Sequence, residues 1–319
     1  MAELDFEAPF AEGLKRLQEL RAYRGDPGKE REAAALKVQL DKDLRDVYAG
    51  LSSWQRTLVA RHANRPYTLD YVGALFTDFV EMAGDRRFGD DPAIVCGFGL
   101  FEGRAVCVIG HQKGRDTKQK IFRNFGMPKP EGYRKAMRIM RMAEKFGRPI
   151  LTFVDTPGAY PGLDAEERGQ AEAIAFNLRE MAKLTVPVIV TVVGEGGSGG
   201  ALAIAVGNRV NMLENSVYSV ITPEGCASIL WRDAKKAPEA AHAMKVASAD
   251  LKNLGLIDEV IQEPPGGAHS DHDATFEAVR LTLRRQLADL SGLASQKLID
   301  ERYDKFRAMG RIGQDLVEA

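Results

Sequence analysis

The chain lacks several things that would point to particular classes of protein. No apolar run approaches the ~20 residues needed to cross a bilayer as a helix, and hydrophobic residues make up 45% of the 319 positions. The opening MAELDFEAPF is acidic and lacks the basic-then-apolar order of a secretory leader. Only three cysteines occur, Cys96, Cys107 and Cys226. They show no CxxC spacing, so neither a zinc site nor a disulfide framework is expected, and a reducing cytoplasm is the expected setting. Charge of one sign is also missing: Lys plus Arg total 44 against 45 Asp plus Glu, for a formal net charge of −1. That balance argues against nucleic acid or a membrane surface as the main partner.

What is present is an alternation of helix-like and strand-like segments, with no sequence repeat. Residues 10–62 predict a helical hairpin broken at Tyr23–Gly28, the second helix carrying Leu36, Leu40, Leu44 and Tyr48 near helical spacing. DPAIVCGFGL and GRAVCVIGH predict a β-hairpin about Phe101-Glu102-Gly103. A basic loop, His111–Lys120, follows, then a helix near 131–146 with Ala136, Ile139, Met140 and Ala143 on one face. PILTFV and VPVIVTVV read as buried strands flanking a helix over 166–183, whose buried positions are expected at Ala171, Ile174, Ala175, Leu178 and Ala182. Beyond them come a short helix near 199–207, strands RVNML and SVYSVI, and mostly helix from 224 onward, broken by a strand DEVIQE. Three parts are expected: a helical arm over 1–64, a main domain over 65–265 and a helical extension over 266–319.

The stretch with most chemical character is VVGEGGSGGALAIA, with five glycines among residues 194–200. Gly194, Gly196 and Gly199 fit a dinucleotide fingerprint, with Glu214 twenty residues on. That fold needs a helical crossover between its second and third strands, however. Only Glu214-Asn215-Ser216 separate RVNML from the VYSVI of the next run, enough to turn a chain back but not to carry it over a sheet face. A P-loop needs Lys then Ser or Thr where Gly200 and Ala201 stand. Gly196-x-Ser198-x-Gly200 fits a nucleophile elbow, with His269 or His272 as the only loop histidines downstream to serve as base. The remaining reading uses the backbone alone. Amides at a helix start lack intrahelical partners, and glycine lets an oxygen approach them closely. Such amides form an oxyanion hole.

Four long motifs sharpen this: GHQKGRDTKQKIFRNFGMPKPEGYRKAMR, FVDTPGAYPGLDAEERGQAEAIA, VIVTVVGEGGSGGALAIAVGNRVNML and SVITPEGCASILW. In this order, with RPYTLDY ahead of them, they closely resemble the α subunits of bacterial acetyl-CoA carboxylase carboxyltransferases over nearly the whole chain. The resemblance implies an α/β, crotonase-like (ClpP/crotonase) fold of ββα units wound into a spiral, with the helical arm and C-terminal helices added. It also implies a heterotetramer of two α and two β chains. Each site would lie between an α and a β chain, and zinc would sit on β with no metal on this chain. The wider complex would add a biotin carboxyl carrier protein and a biotin carboxylase that consumes ATP. The implied reaction moves a carboxyl group from N1-carboxybiotin to acetyl-CoA for fatty acid synthesis.

On this reading Gly199 and Gly200 are the candidate donors to the biotin ureido oxygen, and Gly196 and Gly197 shape the turn. Glu195 is expected to be structural. Candidates for substrate contact are Lys113, Arg115 and Lys118 of the basic loop (with Lys120 beside them), Gly110 at a strand end next to His111, and Gly158, Ala159 and Tyr160 after PILTFV. Ala243-Met244-Lys245 matches the biotinylated tripeptide of carrier domains but lies in a helical run, so no biotin attachment is expected there. The competing readings are a self-sufficient crotonase-like hydratase or isomerase, a serine hydrolase using Ser198, and a non-catalytic scaffold whose basic helix face meets nucleic acid.

Overall fold

The computed structural model of this chain describes residues 4–23 and 25–310. The predicted hairpin is present as α1 (Ala11–Ala22) and α2 (Pro27–Ala49). Asp26 starts α2 by accepting hydrogen bonds from the Gly28 and Lys29 amides, with Pro27 at the first helical position. Leu17, Leu20, Ala33 and Leu40 fill the seam between the two helices. A third helix, α3 (Ser53–Ala60), was not predicted; Ser52 and Gln55 form its capping box. The short α4 (Thr68–Leu75) then leads into an edge strand, β1 (Thr77–Glu81).

β2 (Ile94–Phe101) and β3 (Arg104–His111) pair antiparallel in full register from Ile94↔His111 to Phe101↔Arg104. Their two-residue connection has positive φ at both Glu102 (50°) and Gly103 (79°), as a twist-compatible hairpin turn requires. The predicted basic loop is helical in part, because Asp116 caps α5 (Thr117–Phe122) through the Gln119 amide. α6 (Pro130–Lys145) buries Ala136, Ile139, Met140 and Ala143 as its periodicity predicts. β4 (Ile150–Thr156) follows.

The helix predicted over 166–183 is split. α7 (Leu163–Glu167) ends before Gly169, whose φ of 82° breaks the run, and α8 (Gln170–Met181) begins there. The inward face of α8 is Ala173, Asn177 and Met181, Asn177 donating to the Tyr133 and Ala203 carbonyls, and Ala171 and Ala175 are exposed. β5 (Val188–Gly197) extends through the first glycines before α9 (Ser198–Leu202), a shorter helix than predicted.

β6 (Arg209–Leu213) and β7 (Val217–Ser219) correct a second expectation. The three residues between them do not turn the chain back. Both strands pair parallel with β5, β6 along Ile189–Val192 and β7 along Glu195–Gly197. The chain therefore side-steps and continues in the same direction. This removes the reversal used above against a dinucleotide fold; the absence of any helical crossover between β6 and β7 stands. The chain then runs through α10 (Pro223–Trp231), α11 (Ala237–Met244), α12 (Ser248–Asn253), β8 (Glu259–Ile261), α13 (His272–Ser291) and α14 (Ser295–Ala308).

The sheet runs β1-β2-β3-β4-β5-β6-β8, antiparallel to β3 and parallel beyond, with β7 added beside β5. Alternate strand residues feed opposite cores, as the two-residue period of a strand requires. Cys107, Ile109, Val188, Val190 and Val192 face α6 and α8. Val106, Val108, Ile189 and Val193 face α4 and α13, where Val279, Leu283 and Leu287 close the second core. Burial on both faces is why the central strands read as unbroken apolar runs. No helix among the described residues is long and apolar enough to cross a membrane.

Candidate active site

The glycine turn lies where β5 leaves the sheet, and its glycines are held by close backbone packing. A Cβ on Gly200 would overlap the backbone of Gly158 and Ala159, and one on Gly197 would overlap the carbonyl of Pro157. A Cβ on Gly196 would come within 2.6 Å of the Tyr218 ring, and one on Gly194 would run into the Asp155 carboxylate. Gly199 differs, because its nearest neighbour would be Ile174 Cγ2 at 3.4 Å, an ordinary contact. Thus four of the five glycines are needed for the turn to fit, and the fifth, half-buried beside Ile174, has room for a methyl group. Among the described residues, the amides of Ser198, Gly199 and Gly200 donate to no side chain and to no turn or loop carbonyl. Ser198 itself has a φ of 52°, a left-handed conformation that costs a non-glycine residue about 1–2 kcal/mol.

Beneath the turn lies a network of buried charge. Lys113 Nζ sits 2.7 Å from Asp155 Oδ1 and 2.9 Å from Glu195 Oε2. Asp155 Oδ1 also accepts the Glu195 amide at 3.0 Å, tying the end of β4 to the turn. Arg61, at the end of α3, donates from Nε to Glu195 Oε1 at 2.6 Å and also pairs with Glu224 at the start of α10. Arg65 reaches the same strand from the next turn. It donates to the Val193 carbonyl and forms a fully buried, two-pronged pair with Glu263 at 2.7 and 2.9 Å. Burial pushes the Glu195 pKa upward, but Lys113 and Arg61 outweigh it and hold the carboxyl down at about 2. Burial likewise works against charge on Lys113, and Asp155 and Glu195 overcome it, so the ammonium is held above the ordinary lysine range. Glu195, Lys113 and Arg61 are held in their charged forms, and Asp155 and Glu224 are engaged with them, so no carboxylate of this network stands free to act as a base.

The predicted contact residues separate in space. Gly158 and Ala159 back directly onto Gly200, and the Thr156 hydroxyl braces that loop by bonding both the amide and the carbonyl of Gly158. Tyr160 lies beside them with Lys129 Nζ 4.7 Å from its ring centre. Lys113, a candidate for substrate contact, belongs to the site but is committed to its two carboxylates. Arg115 points away, pairing with Asp70, donating to the Ala63 carbonyl and lying over the Tyr67 ring. Lys118 and Lys120 are exposed on α5. Gly110 is buried in β3 under Thr68, which leaves no room for a side chain. His111 is fully buried against the Gly200 backbone, neither ring nitrogen in a well-formed hydrogen bond, and burial drives its pKa to about 3. Lys245 caps the end of α11 and is exposed there, with no hairpin around it. Sequence reasoning missed Arg61 and Arg65. Nothing local marks an arginine whose partners lie 134 and 198 positions away.

Ser198 lacks the surroundings of a hydrolytic nucleophile. His269 is engaged with Glu7 and His272 with the Asn64 carbonyl, and neither bonds Ser198. What adjoins Ser198 and Gly199 is an apolar cavity of about 260 Å³ lined by Leu202, Tyr218, Val220, Leu256 and Phe306 among others.

Comparison with known proteins places this geometry in a family. The family model for acetyl co-enzyme A carboxylase carboxyltransferase-like proteins matches residues 3–310. The acetyl-coenzyme A carboxylase carboxyl transferase subunit alpha of Syntrophotalea carbinolica is 62% identical over 96% of this chain and 97% of its own length. The protein of the same name from Geobacter metallireducens is 58% identical over 98% of both chains. Among solved structures, a transcarboxylase 12S hexamer core aligns with a TM-score of 0.59 at 19% identity, over 73% of this chain and 42% of that one. A Pseudomonas malonate decarboxylase hetero-tetramer in complex with coenzyme A aligns with a TM-score of 0.57 at 20% identity, over 73% and 93%. At such identities these two establish the fold, which is the crotonase-like fold expected above. Matched along nearly its full length by both the family model and its relatives, the chain belongs to the acetyl-CoA carboxylase carboxyltransferase-like family.

Proposed function

We propose that the chain is the half of an acetyl-CoA carboxyltransferase that receives a carboxylated biotin ring. With a partner β subunit it passes the carboxyl group to acetyl-CoA to give malonyl-CoA. The observation that carries this reading is the packed glycine turn with Gly199 uncrowded beside Ile174, in a chain of this family. The residues present fit a ureido ring. The Gly199 and Gly200 amides supply donors without side chains in the way, and the adjoining apolar cavity can take the body of a fused bicycle.

Carboxybiotin, when bound, supplies the transferable carboxyl group and afterwards a basic ring nitrogen. The chain's own part is to fix the ring and to meet the oxygen that turns negative. Gly199 and Gly200 donate to that oxygen, and each preorganised donor of this kind is worth about 2.7–4 kcal/mol. Gly196 and Gly197 shape the turn; Gly158, Ala159 and Tyr160 hold it from behind. Lys113 acts through Asp155 and Glu195, fixing the floor of the turn. Arg115 and Lys118, at the outer edge, are assigned to the anionic groups of an arriving substrate. Gly110 contributes close packing alone. The network on this chain offers no side-chain base, which suits a reaction whose proton acceptor travels with the cofactor.

The same reading assigns zinc to the β subunit, an α2β2 assembly, delivery of biotin by a carrier protein, ATP use to a biotin carboxylase partner, and a cytoplasmic setting. The test is the reverse reaction, malonyl-CoA-dependent carboxylation of biocytin, assayed with the pure chain and then with β added. Activity only in the mixture is expected. Turnover by the isolated chain overturns the half-enzyme assignment, and full activity in Gly199→Val with β present overturns the role of the turn.

A further inference from the structure

Away from the glycine turn, three segments distant in sequence bring together a second set of donors. Glu7 comes from the N-terminal segment, His62 from the turn after α3 and His269 from the loop after β8. One donor atom from each lies within 4.8 Å of the others. The two imidazole rings stack with centroids 3.9 Å apart and planes tilted by 32°, so two of the chain's five histidines meet here. His269 Nε2 lies 3.1 Å from Glu7 Oε1.

A simple His269–Glu7 ion pair explains the Nε2 contact but not the second imidazole stacked on it. The cluster also forms part of the wall of a cavity of about 340 Å³, lined elsewhere by Leu14, Leu17, Leu40 and Leu44. That volume leaves room for water at an open coordination position.

We propose that Glu7, His62 and His269 form a binding site for a divalent transition-metal ion of the zinc type. Two imidazoles and one carboxylate make a donor set suited to zinc, cobalt or nickel; magnesium and calcium prefer all-oxygen sites. An imidazole binds an ion through a ring nitrogen that carries no proton. The contacts exchanged for metal bonds are the weak ones: His269 to Glu7, and the 3.3 Å contact from the Asn64 amide to His62 Nδ1. Tyr48, whose hydroxyl donates to Glu7, orients the carboxylate as outer partners of metal ligands do. The bound ion would clip the N-terminal segment to the body beside Arg61 and Arg65, which hold the end of β5. This inference is independent of the carboxyltransferase reading and departs from the expectation that the chain carries no metal.

The test uses the full-length chain without an affinity tag, stripped of metal by a chelator. Calorimetric titration with Zn²⁺ is expected to show a single saturable site, and Co²⁺ to give visible d–d absorption of a low-symmetry nitrogen–oxygen site. Zn²⁺ is expected to raise the melting temperature of the parent but not of His269→Gln or Glu7→Gln, and both variants are expected to lose the cobalt spectrum. Tyr48→Phe is expected to weaken zinc binding about 10–100-fold, and Cys226→Ser to leave it unchanged. Absence of saturable binding in the parent overturns the proposal. So does binding that survives in Glu7→Gln and His269→Gln, or that vanishes in Cys226→Ser. If His269→Gln fails to fold, Glu7→Gln decides the matter, since Glu7 lies on a half-buried segment outside both main cores.

Discussion

Gly200 lies so close to the amide nitrogen of Ala159 that no side chain fits between them, whereas Gly199, one residue earlier, faces space that a methyl group could enter. Adjacent residues of one turn thus separate packing from access. Gly200→Ala is expected to force the two loops apart and to lower stability by about 1–3 kcal/mol. Gly199→Ala is expected to melt like the parent yet lose carboxyl transfer, because its methyl group obstructs approach to the amides. Thermal melts and the biocytin assay on both variants check this pair.

Removing Lys113 takes away the cation that Asp155 and Glu195 share in a buried setting. Breaking such a network by deleting one partner costs about 3–5 kcal/mol. Lys113→Met is therefore expected to be strongly destabilised in urea titrations. Adding Asp155→Asn to it should recover part of the loss, since one unpaired carboxylate is then neutral.

Glu195 ties this network to pH. Its pKa is depressed in the folded state from 4.5 to about 2, so it stabilises the fold above the unfolded value, and that contribution fades as pH falls from about 4.5 towards 2. Glu195→Gln is expected to be less stable than the parent at neutral pH, with the gap narrowing as the solution is acidified through that window. A gap that stays constant from pH 7 to roughly pH 2 would contradict the linkage.

Ser198→Gly removes the hydroxyl and relieves a left-handed residue, a gain of about 1 kcal/mol partly offset by the greater freedom of glycine when unfolded. The variant is expected to be as stable as the parent or slightly more so, and to retain carboxyl transfer. Loss of activity in it would revive a chemical role for the serine.

Much of this architecture was legible in the residue pattern because burial imposes period. The runs that became β2 to β5 and the apolar face of α6 follow directly from sheets covered on both sides and a helix covered on one. The inward face of α8 was misread because Ala171 and Ala175 pass for core residues, whereas Gln170 and Asn177 turn inward to donate to main-chain carbonyls, which a count of apolar positions does not register. The link between β6 and β7 was misread because three residues that side-step along β5 look the same in sequence as three that reverse. Within the site, the glycines announced themselves, since close approach demands glycine. Lys113 was expected to meet substrate, because a lysine in a charged run carries no mark of the carboxylates it will meet. Arg61 carried no signal at all, its partners being set by tertiary contact alone.

The charged floor under the turn has a bearing on what can come to rest above it. Lys113 offsets Asp155 and Glu195 together, with Arg61 shared between Glu195 and Glu224, so a carboxylated, anionic guest meets no bare negative neighbour as it settles on the amides. Were that cancellation undone, the guest would be repelled by the same acids that now anchor the loop. Rigidity and hospitality towards an anion thus come from one set of contacts.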